Sequence, residues 1–169
     1  MKIRDARLPL LLLSAVIILI DRITKILVIR HVQPSQELTV IPGWFHISHV
    51  YNNGAAFNLL ADTRSPDKVR WILIGFSIFA VLVVFALFWS VGKRLSMTSV
   101  ALALILGGAI GNLYDRLAYR YVIDFLAFSH WHYYFPDFNA ADSCIVIGAC
   151  LLILQAIRGP SSLFADPKP

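Results

Sequence analysis

The sequence predicts an integral membrane protein, mainly α-helical, with four membrane-spanning helices and a small β-type element outside them. Three observations carry this. The chain of 169 residues is 58% hydrophobic and 15% charged, with mean hydropathy +0.70, which leaves too little polar surface for a soluble domain of that size. Stretches long enough to cross a hydrocarbon core of about 30 Å recur along it. The basic residues behind the net charge of +5 sit mostly at the ends of those stretches, which suits orientation in a membrane and not a nucleic-acid patch. One membrane domain over residues 1–169 is expected.

The first span is read at about 8–29. Leu8–Ile20 is a charge-free run of thirteen residues, also the length of a signal-peptide core. No small-x-small cleavage site follows, however, and the apolar pattern resumes after Asp21-Arg22. Residues 31–70 are more polar and hold Pro34, Pro42, Gly43 and three of the five histidines. Leu38–Ile41 and Trp44–Tyr51 are β-like and predict a small sheet or hairpin on the membrane surface. Asn52-Asn53-Gly54 reads as a turn, because Asn and Gly tolerate positive φ.

The second span, 71–91, has twenty-one residues without a charge and Trp71 and Trp89 near its ends, as expected at membrane–water interfaces. Gly92-Lys93-Arg94 is a tight basic connection to the third span, 97–113. There Gly107 and Gly111 leave one helix face bare for a close neighbour. Residues 114–139 are polar and aromatic-rich and are read as a loop; 140–157 is the fourth span. Cys144 and Cys150 lie on different faces of that helix and read as small apolar packers.

Lys and Arg number three in the first seven residues, two in 92–96 and two in the twelve-residue tail, against three in 31–70 and two in 114–139. The denser side is cytoplasmic by the positive-inside rule. Both termini are therefore expected inside, with both long loops outside.

That orientation puts two carboxylates at one outer face: Asp124, after the third span, and Asp142, at the start of the fourth. Two acids that share a site cannot both ionise cheaply, so one holds a proton. Such a pair can hydrolyse a peptide, the ionised member taking a proton from water and the protonated one donating to the carbonyl oxygen. The bland alternative is a helix-start acid and a loop acid. Asn139 orients a carboxylate, caps the helix, or both. Asp21 and Lys25, four apart, form either a structural ion pair or a polar wall of the site. Asn112 and Arg116 continue the glycine face and could hold backbone carbonyls or a lipid headgroup, or simply finish the helix. Asn52 and Gly54 are a turn or part of the site. His130 and His132 lack a third metal ligand at convincing spacing and read better as interfacial residues. No cofactor is expected. A small proton-coupled transporter using the buried carboxylates is the alternative from another class.

Five stretches together resemble the lipoprotein signal peptidases (signal peptidase II) of bacteria, over about residues 10–157. They are Asp21-Arg22-Ile23-Thr24-Lys25, Tyr51-Asn52-Asn53-Gly54-Ala55-Ala56-Phe57, Gly107 to Arg116, Val122-Ile123-Asp124-Phe125, and Phe138-Asn139-Ala140-Ala141-Asp142-Ser143. The resemblance implies an aspartic endopeptidase of the inner membrane that cuts prolipoproteins just before a diacylglyceryl-modified cysteine. Its catalytic pair falls on Asp124 and Asp142. Its other polar site positions fall on Asp21, Lys25, Asn52, Gly54, Asn112, Arg116, Asn139 and Ala141. It implies four transmembrane helices, an extracytoplasmic β-cradle and surface helix from the 31–70 loop, membrane lipid as surroundings, and inhibitors of the globomycin type. Arg22, Asn58 and Ala140 depart from the family's usual residues. Arg22 adds a charge to which the sequence assigns no partner.

Overall fold

The computed structural model describes residues 5–53, 66–131 and 133–159. Its element order is α1 (Arg7–His31), β1 (Glu37–Ile41), β2 (Phe45–Asn52), α2 (Pro66–Val91), α3 (Met97–Ala118), β3 (Val122–His130), β4 (Tyr133–Phe138) and α4 (Ala140–Ile157). Helix α3 packs against α1, α2 and α4 and is the centre of the helical layer. The four strands form one antiparallel sheet in the order β1-β2-β3-β4.

Among the described residues three helices are long and apolar enough to cross a membrane: Asp67–Val91, Met97–Ala118 and Ala140–Ile157. Their outward faces are bare apolar side chains, such as Trp71, Ile72, Phe76, Phe79 and Leu82 on α2. Helix α1 has 25 residues, but Asp21, Arg22 and Lys25 interrupt its second half, so its length and composition alone do not mark it as a span.

Two expectations change. The second helix begins at Pro66, five residues before Trp71, and the third runs on to Ala118. Proline suits a first turn because its missing N–H would have no intrahelical partner there. Asp115 and Arg116 are therefore helical and face the bundle. The stretch 114–139, read as a loop, supplies half the sheet. Its strand signal is hidden because Val122, Ile123, Asp124 and Phe125 are all buried, which removes the alternation that marks a one-sided strand. In the 31–70 segment both strands form where expected, and Gly43, at φ +76°, makes the turn between them. Between His31 and Pro66 the described residues hold no helix, so the surface helix implied for that segment is not seen among them; residues 54–65, Gly54 included, lie outside the described residues.

Glycines set how closely the helices approach. A Cβ on Gly107 would stand 2.9 Å from the Ser14 carbonyl oxygen and from Ile17 Cβ of α1. One on Gly111 would meet Asp21 Oδ2 at 2.8 Å, and one on Gly148 the Ala101 carbonyl oxygen at 2.7 Å. A Cβ on Gly108 would collide with the main-chain carbonyl of Ala141. Small residues let backbones come this near, and dispersion does the rest.

Candidate functional site

The start of α4 is the pivot of the site. Asn139 caps the helix: its Oδ1 accepts the Asp142 N–H at 2.9 Å, and Asp142 Oδ2 accepts the Asn139 N–H at 3.2 Å. This reciprocal arrangement satisfies two helix-end donors and holds the Asp142 side chain in place. Asn139, fully buried, also donates through Nδ2 to Asp124 Oδ1 at 2.7 Å. One residue thus touches both carboxylates.

Asp124 is 3% exposed on β3, beside the end of β2, where Asn52 pairs with Val122. From there Asn52 Nδ2 donates to Asp124 Oδ2 at 2.9 Å. Burial pushes the Asp124 carboxyl up to about 6, and the charge of Asp142 adds to this. The amides of Asn52 and Asn139 and the Lys25 ammonium oppose it. Asp142, half-buried, accepts Asn112 Nδ2 at 2.7 Å.

Behind the carboxylates lies a fully buried charge cluster. Lys25 Nζ reaches Asp21 Oδ2 at 2.9 Å, Asp115 Oδ2 at 2.7 Å and Asn112 Oδ1 at 3.1 Å. Asp21 Oδ1 accepts the Ala141 N–H at 3.1 Å, tying α1 to the first turn of α4. Asn112 Oδ1 also accepts Asn139 Nδ2 at 3.2 Å. The chain of contacts is therefore continuous from Lys25 through Asn112 to Asp142.

Asp21, Lys25, Asn52, Asn112, Asn139, Ala141, Asp124 and Asp142 are thus joined by direct hydrogen bonds. Arg116 donates to the Asn112 carbonyl at 3.3 Å and lines the cavity beside the carboxylates. His130, by contrast, packs against Trp44 with ring centroids 4.2 Å apart, and His132 is outside the described residues. Sequence reasoning missed Asp115, which is fully buried, pairs with both Lys25 and Arg22, and faces the Ile123 N–H at 3.5 Å. It supplies the partner of Arg22, whose guanidinium also lies 4.6 Å from the Tyr114 ring. A signal was available: Asp21, Arg22 and Lys25 leave one positive charge unmatched, and a charge at that depth calls for a partner.

Two cavities share Asn112, Arg116 and Asp142. A groove of about 420 Å³ runs between α2, α3 and α4, lined by Leu73, Phe76, Ala80, Val84 and Ile105 among others, and ends at Asn112, Arg116 and Asp142. A second, of about 210 Å³, is lined by both aspartates, Asn52 and the Phe135–Asp137 segment of β4. One is apolar and lies within the helices; the other is polar and lies against the sheet.

This combination of apolar helices, capping sheet and enclosed polar centre has the character of a small membrane enzyme. The chain is similar to a solved bacterial membrane enzyme with a TM-score of 0.83 and 25% identity, covering 100% of this chain and 98% of the other. The family described as signal peptidase (SPase) II matches residues 13–158, and the chain belongs to that family. It is 42% identical over 161 residues to the lipoprotein signal peptidase of Pseudomonas putida, covering 94% of this chain and 92% of the relative. To that of Pseudomonas fluorescens Pf-5 it is 41% identical over 157 residues, covering 92% and 91%.

Proposed function

We propose that the protein is an aspartic endopeptidase that removes the signal peptide of bacterial prolipoproteins by cleaving just before a diacylglyceryl-modified cysteine, with Asp124 and Asp142 as the catalytic pair. The observation that carries this reading is the bridging of the two carboxylates by Asn139 where an apolar groove meets a polar cavity. The names of the relatives favour it over the proton-coupled transporter.

Asp124, the acid lifted to about 6, is assigned the proton, and Asp142 the role of base. Asp142 takes a proton from a water whose oxygen attacks the scissile carbonyl carbon. Asp124 donates to the carbonyl oxygen as it gains charge. Collapse of the tetrahedral intermediate returns that proton to Asp124 and breaks the C–N bond. The proton on Asp142 passes to the leaving amine. Asn52, Asn112 and Asn139 hold the pair, Asp21 and Lys25 hold Asn112 and Ala141, and Arg116 and Ala141 shape the wall. Gly54 belongs with Asn52 in this reading by resemblance.

The apolar signal segment lies in the groove between α2, α3 and α4, with the two acyl chains left in the bilayer. Globomycin-type inhibitors compete for the same space. Helix α1 is read as the fourth span: its charges turn inward into the buried cluster, while Leu8, Leu12, Leu19, Ile23 and Leu27 are exposed as a lipid-facing surface. The whole chain then forms one domain of the inner membrane, with cytoplasmic termini and the site at the outer face.

The test is a lipobox peptide with and without diacylglycerol on its cysteine, given to protein in lipid. Wild type is expected to cut before the lipidated cysteine alone. Asp124→Asn and Asp142→Asn are each expected to lose about 10³-fold in rate, in the range of acid–base contributions. Wild-type rates in either folded variant would refute the assignment.

A further inference from the structure

The wall of the polar cavity contains a third acid. Asp137, on β4, lines the same space as Asp124 and Asp142. Ser48 Oγ donates to Asp137 Oδ2 at 2.7 Å. Ser48 is 2% exposed and sits where the β2–β3 register shifts between Ile47 and Val50. Ser48 belongs to β2 and Asp137 to β4, so this hydrogen bond passes over β3, the strand that bears Asp124. The acid is therefore held by a side chain of β2, two strands away in the sheet. Among the described residues Ser48 is its one hydrogen-bond partner and it makes no ion pair. Arg116 is the one cation in the described lining, facing three carboxylates. Half-buried, Asp137 is shielded only in part from whatever enters.

This rests on the peptidase reading. If the apolar segment before the scissile bond occupies the groove, the residues after the cysteine leave through the second cavity, past Phe135, Pro136 and Asp137. We propose that Asp137 is a specificity-determining residue, which favours a cationic and disfavours an acidic side chain immediately after the modified cysteine. The proposal needs no new chemistry, only the field of one anchored carboxylate beside the exit path, weakened by solvent and salt.

Three diacylglyceryl peptides that differ only in the residue after the cysteine, Lys, Gln or Asp, would test it. The readout is the ratio of kcat/KM for Lys over Asp on one enzyme, so losses common to both substrates cancel. Wild type is expected to favour Lys by about fivefold at low ionic strength, in keeping with a partly exposed pair, and less at high salt. Asp137→Asn should bring the ratio near one, and Asp137→Lys should reverse it. A wild-type ratio near one, a ratio indifferent to salt, or an unchanged ratio in both variants would overturn the proposal. The salt series needs only wild type, so the test survives a variant that fails to fold. Failure of wild type to cut even the Gln peptide would instead count against the peptidase reading itself.

Discussion

At the scale of single residues, protonation of Asp124 governs the proposed chemistry. Burial holds its carboxyl at about 6, with Asp142 adding and the amide donors Asn52 and Asn139 opposing. If Asp124 is the acid, activity is present below that value and lost as pH rises through it. The alkaline limb of the kcat/KM profile is then expected at an apparent pKa of about 6, a property of the coupled pair. Asn52→Ala removes a hydrogen bond that stabilises the charged form, so it should move that limb to higher pH while lowering the maximum. A pH–rate profile measures both. A limb that stays put, or moves down, contradicts the assignment of the proton to Asp124.

At the scale of elements, the close seam between α3 and α4 sets the site. Asn112 on α3 and Asp142 on α4 meet at 2.7 Å, and Gly108, one helical turn before Asn112, lies against the Ala141 carbonyl with no room for a Cβ. Gly108→Ala should push the start of α4 off α3. The expected cost is about 1–3 kcal/mol of overpacking strain, with a loss of cleavage, since Asn112 and Asp142 would part. Gly75 on α2 has nothing within 4 Å of a built Cβ. Gly75→Ala should therefore be neutral or slightly stabilising, as alanine is the better helix former. Thermal denaturation in detergent, paired with peptide cleavage, checks both. Equal behaviour of the two variants would show that the seam does not set the site.

At the scale of the whole molecule, the buried cluster ties together α1, α3 and the start of β3. Asp21, Arg22, Lys25 and Asp115 together carry no net charge, and all but Arg22 are fully buried. The stretch of α1 that bears Asp21, Arg22 and Lys25 can pack among apolar neighbours because Asp115 meets it there. Asp115→Asn strands one cation, and breaking a buried pair in this way costs about 3–5 kcal/mol. Combining it with Arg22→Gln restores neutrality, with Asp21 and Lys25 still paired, and should recover much of the loss in Tm. A double variant no more stable than Asp115→Asn would mean that charge balance is not what the cluster provides.

The sequence by itself determined the apolar helices, the glycine-bared face of α3, the first two strands and the polar residues that cluster in space. These are properties of local composition and period, and hydrophobic burial is close to a sum over neighbours along the chain. Family membership was legible for a related reason: five short stretches keep their order and spacing. Tertiary structure alone decided the rest. β3 hid because it is covered on both faces, so its residues show no alternation. Asp115 was passed over because its meaning comes from Arg22, 93 positions away, and Asp137 because Ser48 and the cavity wall are brought to it by the sheet. A charge acquires its role from what neutralises it or fails to, and in a membrane-embedded fold that partner comes from another element.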